Sequence, residues 1–92
     1  MPELVLASRA KNDLKELPES VRVAVGRLLE GLRLGPRAIG HPLLGRIRPL
    51  RSAHVGNYRV IYTIEGDRGR EGIVVRAIRH RAVVYGRRRR RQ

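Results

Sequence analysis

Gly56-Asn57-Tyr58-Arg59-Val60-Ile61-Tyr62 is the stretch on which the fold turns. It is rich in β-formers and carries one charge. In a pleated strand side chains alternate, so Arg59 shares a face with Ile61 and Thr63, while Tyr58, Val60, Tyr62 and Ile64 point the other way. Downstream, Arg79-His80-Arg81-Ala82-Val83-Val84-Tyr85 follows the apolar run from Ile73 to Ile78. It supplies two more arginines, a histidine and a tyrosine to the same neighbourhood. That grouping is the candidate site.

Working outward, the polar, Gly-punctuated segment from Glu65 to Gly72 separates the two apolar runs and makes them a hairpin. Before the first run, Ile47-Arg48-Pro49-Leu50-Arg51-Ser52-Ala53 alternates loosely. Pro49 cannot donate to a ladder, which assigns that strand an edge position or a bulge. A turn at Val55-Gly56-Asn57 joins it to the next strand, giving a three-strand antiparallel meander. Towards the N-terminus, Glu3 to Ala7 reads as an initial strand, and Ser8 offers an N-cap for a helix through Leu17. Pro18 breaks that helix. Val21, Val25, Leu28, Leu29 and Leu32 form the apolar stripe of a second helix, stopped by Gly35-Pro36. Gly35 to Gly45 reads as a loop, with His41 an exposed bystander in it. The chain is therefore read as α+β, in the order β-α-α-β-β-β, with helices whose stripes cover a sheet. Residues 1–86 form a single domain, and residues 87–92 an arginine tail, disordered in isolation, that acts as a solvated terminus or as a phosphate-gripping arm.

Ninety-two residues suffice for one modest core, and with no Phe or Trp that core is aliphatic. The absence of cysteine excludes disulfides and thiolate metal sites, and three histidines give a metal centre little support, so neither metal nor cofactor is expected. No run is long and apolar enough for a membrane span and the N-terminus lacks a signal-peptide pattern, so a cytoplasmic location is expected. The net charge is +13 and it is unevenly placed: residues 1–45 hold seven Lys+Arg against five Asp+Glu, residues 46–92 fourteen against three. Such a field favours a polyanionic partner, because each phosphate neutralised releases condensed counterions. Nineteen of the twenty-one cations are arginine, which suits bidentate phosphate binding, although a GC-rich coding bias gives the same count.

The element order, together with Ala10-Lys11-Asn12-Asp13-Leu14, Leu17-Pro18, Gly56-Asn57-Tyr58-Arg59-Val60-Ile61-Tyr62 and His80-Arg81 ahead of Tyr85, resembles the RelE/ParE superfamily of bacterial toxins. The resemblance runs from Val5 to Tyr85. It implies a microbial RNase-type fold, in which two helices pack on one face of a small twisted antiparallel sheet and a concave basic site lies on the other. It also implies a toxin of a type II toxin–antitoxin pair, held by a cognate antitoxin through which it meets operator DNA. RelE-like members cut mRNA in the ribosomal A site, whereas ParE-like members poison DNA gyrase without that nuclease site. The RelE reading, a ribosome-dependent mRNA endonuclease, is adopted here. Its alternatives are a ParE-like gyrase inhibitor and a catalytically silent relative that binds only RNA or its antitoxin.

By this resemblance Arg59, Arg79 and Tyr85 match catalytic positions. The two lysines of RelE-type enzymes fall at Leu50 and Ser52 and are not retained. Cleavage needs a base for the 2′-OH proton, cations around the phosphorane and an acid for the 5′-oxygen. His54 and His80 are the near-neutral candidates close to the motifs, with His80 placed first. The catalytic set is thus Arg59, Arg79, His80 and Tyr85, and the RNA-binding set Arg46, Arg48, Arg51, His54, Arg81, Arg87, Arg88 and Arg89. The competing readings are an ion pair of Arg59 with Glu65, Asp67 or Glu71, an ordinary strand-end His80, and a core-closing Tyr85. Tyr58 and Tyr62 read as core.

Overall fold

The computed structural model describes residues 3–43, 49–67 and 69–82. Its elements are β1 (Glu3–Leu6), α1 (Ser8–Lys15), α2 (Glu19–Leu34), β2 (His41–Pro42), β3 (Arg51–Val55), β4 (Tyr58–Glu65) and β5 (Gly72–His80). They form one five-stranded sheet in the order β1-β5-β4-β3-β2. The meander β3-β4-β5 is antiparallel as the sequence implies, but β1 pairs parallel with β5, from Glu3 opposite Gly72 to Leu6 opposite Val75, so the sheet is mixed. The loop expected from Gly35 to Gly45 contributes the two-residue strand β2, paired antiparallel to β3. Ser8 is the first residue of α1 rather than its cap, since Ala7 holds the cap position without a side-chain bond.

Local chemistry sets these boundaries. Gly56 has φ +57 and, with Asn57, closes the two-residue turn that pairs Val55 with Tyr58; primed turns of this kind require a positive φ and match the strand twist. Pro18 stands at the start of α2, where its missing N–H costs no bond, and its carbonyl accepts from Arg22 N at 2.9 Å.

The core lies between the helices and one face of the sheet: Ala10, Leu17, Val25 and Leu32 meet Ala53, Val60, Tyr62, Ile73, Val75 and Ile78. Tyr58 and Ile64 pack against this cluster, so the alternation expected for β4 is observed. Tyr62 is fully buried, and its hydroxyl lies 2.7 Å from Ile39 O and 2.9 Å from Pro36 O, sharing one proton between them. It accepts from Arg51 Nε at 3.1 Å, and Arg51 Nη2 reaches Arg37 O and Gly40 O, both at 3.4 Å. This network pins the segment after α2 onto the sheet and so delivers β2 to its edge.

Candidate nucleic-acid interface

The sheet face turned away from the helices carries the candidate site. His54 on β3, Arg59 on β4 and Arg79 on β5 are consecutive cross-strand partners. Directly opposed residues share a face with Cβ atoms roughly 5 Å apart, so the three side chains form one row across three strands. Arg81 adjoins it, its backbone N–H bonded to Asn57 O at 2.7 Å. A cleft of about 320 Å³ is lined by His54, Gly56, Arg59 and Arg81.

Arg79 joins the row because β5 holds one residue more than β4. Ile61 pairs with Ala77 but Tyr62 pairs with Val75, which leaves Arg76 as the extra residue of a β-bulge. Before the bulge Ile73 and Val75 face the core; after it Ile78 does, and Ala77 and Arg79 turn to the face away from the helices. A strand without the bulge would aim Arg79 at the helices.

The same alternation sends His80 to the other face. It is the cross-strand partner of Tyr58, stacks edge-on against that ring with centroids 5.1 Å apart, and its Nδ1 lies 3.1 Å from Ala82 N. The expectation that His80 stands beside Arg59 and Arg79 is thus corrected by strand parity. Arg51 is corrected likewise: it belongs to the Tyr62 network on the helix side, with its guanidinium engaged by backbone carbonyls. Arg46, Arg48, Tyr85, Arg87, Arg88 and Arg89 lie outside the described residues.

His41 is the residue that sequence reasoning passed over. Pairing of His41 with Ser52 carries its ring to within 5.8 Å of the His54 ring, centroid to centroid, at the edge of the row. Only the β2–β3 register reveals this, and no local pattern announces a two-residue strand.

The acidic groups of the β4–β5 hairpin, Glu65, Asp67 and Glu71, collect at its opposite end. Glu65 is six residues along β4 from Arg59, about 20 Å of strand, which places it out of side-chain reach. It binds Arg76 and accepts from Thr63 Oγ1 at 2.8 Å. Glu71 takes two bonds from Arg37, at 2.7 and 2.8 Å, which hold its carboxyl below the usual carboxylate range and raise the guanidinium. The row is therefore cationic and imidazole-bearing, suited to gripping a phosphate and to moving a proton through His54. Among the described residues no cluster of three or more His, Cys, Asp or Glu could hold a metal ion. No described helix is long and apolar enough to cross a membrane.

Comparison with known proteins agrees with this architecture. The family model described as the ParE toxin of type II toxin–antitoxin system, parDE, matches residues 4–85. Toxin RelG of Mycobacterium tuberculosis H37Rv is 33% identical over 89 residues, covering 95% of this chain and 100% of that protein. Toxin RelE of the same organism is 33% identical over 72 residues, 77% of this chain and 74% of that one. The RelBE2 toxin–antitoxin complex of M. tuberculosis superposes with a TM-score of 0.76 at 29% identity, covering 88% of this chain and all of the matched one. The archaeal RelE–RelB complex of Pyrococcus horikoshii shares the fold, with a TM-score of 0.71 at 19% identity over 90% of this chain and 98% of its own. In sequence from Leu4 to Tyr85 and in architecture alike, the chain belongs to the RelE/ParE superfamily, the toxins of type II toxin–antitoxin systems.

Proposed function

We propose that the chain is an mRNA endonuclease that acts on the ribosome in the cytoplasm and is neutralised by a cognate antitoxin. The observation that carries this reading is the row His54, Arg59, Arg79 with Arg81 beside it. Two arginines at directly opposed positions repel each other, and a phosphate between them turns that repulsion into two charge-assisted contacts. Single-stranded RNA offers such a phosphate next to a 2′-hydroxyl, and the relatives named RelE and RelG and the solved toxin–antitoxin complexes support the toxin role.

In the proposed reaction His54 takes the 2′-OH proton and the 2′-oxygen attacks phosphorus. The bond to the 5′-oxygen breaks, leaving a 2′,3′-cyclic phosphate and a 5′-hydroxyl. Arg59 and Arg79 neutralise the charge that grows on the non-bridging oxygens; losing one such preorganised donor costs about 10²–10³ in rate. Arginine stays protonated and cannot be the base, which leaves the task to an imidazole. His54 takes that role in place of His80 because it alone of the two shares the arginine face. In this proposal the leaving oxygen takes its proton from Tyr85, which matches a catalytic position by the family resemblance.

One observation favours a ParE-like gyrase poison instead: the matching family model is that of the ParE toxin. The family resemblance points the same way, since it puts the RelE-type lysines near Leu50 and Ser52, where none is present. Primer extension on translating ribosomes separates the two. New mRNA 5′ ends at the A-site codon, lost in Arg59→Ala and His54→Ala but kept in His80→Ala, support the nuclease. Intact message with gyrase-dependent DNA breaks would overturn it.

A further inference from the structure

The position of Arg79 depends on a strand segment that, among the described residues, has no neighbouring strand on one side. β1 pairs with β5 only as far as Val75, where Ala7 N donates to Val75 O at 2.9 Å, and the chain then leaves the sheet as α1. Beyond that point β5 carries the bulge residue Arg76 and then Ala77, Ile78, Arg79 and His80, whose strand partner among the described residues is β4. A strand segment laddered on one side permits register slippage, and a slip of one residue would exchange the faces of Arg79 and His80. On the open edge the Ile78 N–H is not left to water. Asp13, on the turn of α1 that crosses β5, accepts from it through Oδ2 at 2.9 Å. Ile78 is the residue next to Arg79, and it is buried in the core.

We propose that Asp13 is a positioning residue for the phosphate site. Its carboxylate takes the place of a ladder partner at the first core-facing residue after the bulge, fixing the register that turns Arg79 towards Arg59. This rests on the reading of the arginine row as the RNA-binding site. Asp13 touches no substrate, and it lies on the helix side of the sheet.

The sign of the effect separates this role from a charge effect. Removing a carboxylate from a chain of net charge +13 strengthens its positive field, so electrostatics alone makes Asp13→Ala bind a polyanion more tightly. Loss of the register makes it bind more weakly. The test measures affinity of the full chain for a labelled single-stranded RNA dodecamer, in a two-by-two cycle of Asp13→Ala and Arg79→Ala, with circular dichroism to verify folding. Arg79→Ala is expected to weaken binding roughly tenfold. Asp13→Ala should weaken it by a comparable factor, and the double variant should fall within about twofold of Arg79→Ala, because the two act through one contact. Asp13→Asn keeps an acceptor for Ile78 N–H and should restore near-wild-type affinity. If Asp13→Ala does not fold, Asp13→Leu, which fills the volume without an acceptor, carries the same expectation. Unchanged or tighter binding in Asp13→Ala, or losses that multiply in the double variant, would overturn the assignment. Unaltered binding in Arg79→Ala would instead remove the site reading beneath it.

Discussion

Replacing Arg79 by glutamine should make the free protein more stable while it weakens the site. Arg59 and Arg79 are directly opposed on one face with Cβ atoms roughly 5 Å apart, so side chains running side by side would hold two positive charges roughly 5–8 Å from each other. In water their repulsion is on the order of 0.5–0.8 kcal/mol, and it is several times larger at the effective dielectric of a protein surface. Both side chains are half-buried and partly screened, which brings the expected gain on removing one charge to about 0.5–1 kcal/mol. For a domain of this size that is a rise in Tm of about 3–6 °C. Arg27→Gln on the exposed face of α2 removes the same formal charge without the close neighbour, so it reports the general self-repulsion of a +13 chain. The assay is thermal unfolding at low and high salt. The difference between Arg79→Gln and Arg27→Gln should be positive at low salt and shrink once the Debye length falls to about 3 Å near 1 M. Added inorganic phosphate should raise the Tm of the wild type more than that of Arg79→Gln, because ligand binding to the folded state stabilises it by mass action. A Tm for Arg79→Gln at or below that of Arg27→Gln, with no phosphate effect, would refute the opposed-arginine row.

Three further outcomes test the parts that deliver the row. Tyr62→Phe should lower stability by about 1–3 kcal/mol in denaturant titration, because it strands buried carbonyls of the segment after α2 and an Arg51 donor, yet should leave RNA affinity nearly unchanged. Gly40 has φ +80, and a Cβ there would lie 2.7 Å from both Ser52 O and the Tyr62 hydroxyl; Gly40→Ala should therefore cost about 1–3 kcal/mol and shift the His41 resonances. Glu71 has a folded-state carboxyl held below its usual range, so its bond to Arg37 stabilises the fold above the ordinary carboxylate pKa and is lost as pH falls through the depressed value. Acidification should accordingly narrow the Tm gap between wild type and Glu71→Gln.

The strands of the meander were legible because two runs rich in β-branched residues are separated by a polar, Gly-punctuated segment, and the helices because their apolar residues repeat at i, i+4 and i+7. The placement of Arg59 opposite the core face followed directly. What was not legible required contacts between distant segments. The parallel pairing of β1 with β5 and the two-residue β2 depend on register, and the latter alone brings His41 to His54. The bulge left one trace, since strict alternation from Ile73 and Val75 would place Arg79 on the core face, a charge where an apolar residue belongs. That conflict is the signal that would have turned Arg79 to the face of Arg59 and His80 away from it, leaving His54 as the nearer imidazole.

The same parity decides what each arginine of the sheet is for. Arg51 and Arg59 are on neighbouring strands and read alike in the sequence, yet Arg51 faces the helices and closes the Tyr62 network, while Arg59 faces the open side beside His54. Arg76, the bulge residue, is on the open side but is bound to Glu65. Net charge therefore overstates the phosphate-binding capacity of the sheet, and the shared cross-strand row is what singles out Arg59 and Arg79 as candidates. If this is right, lysine should replace Arg76 with little loss, because a point charge suffices to meet Glu65. Arg79→Lys should weaken RNA binding markedly although net charge is unchanged, because the planar fork that grips two phosphate oxygens is lost. Equal tolerance of lysine at both positions would mean that the row contributes only a diffuse positive field.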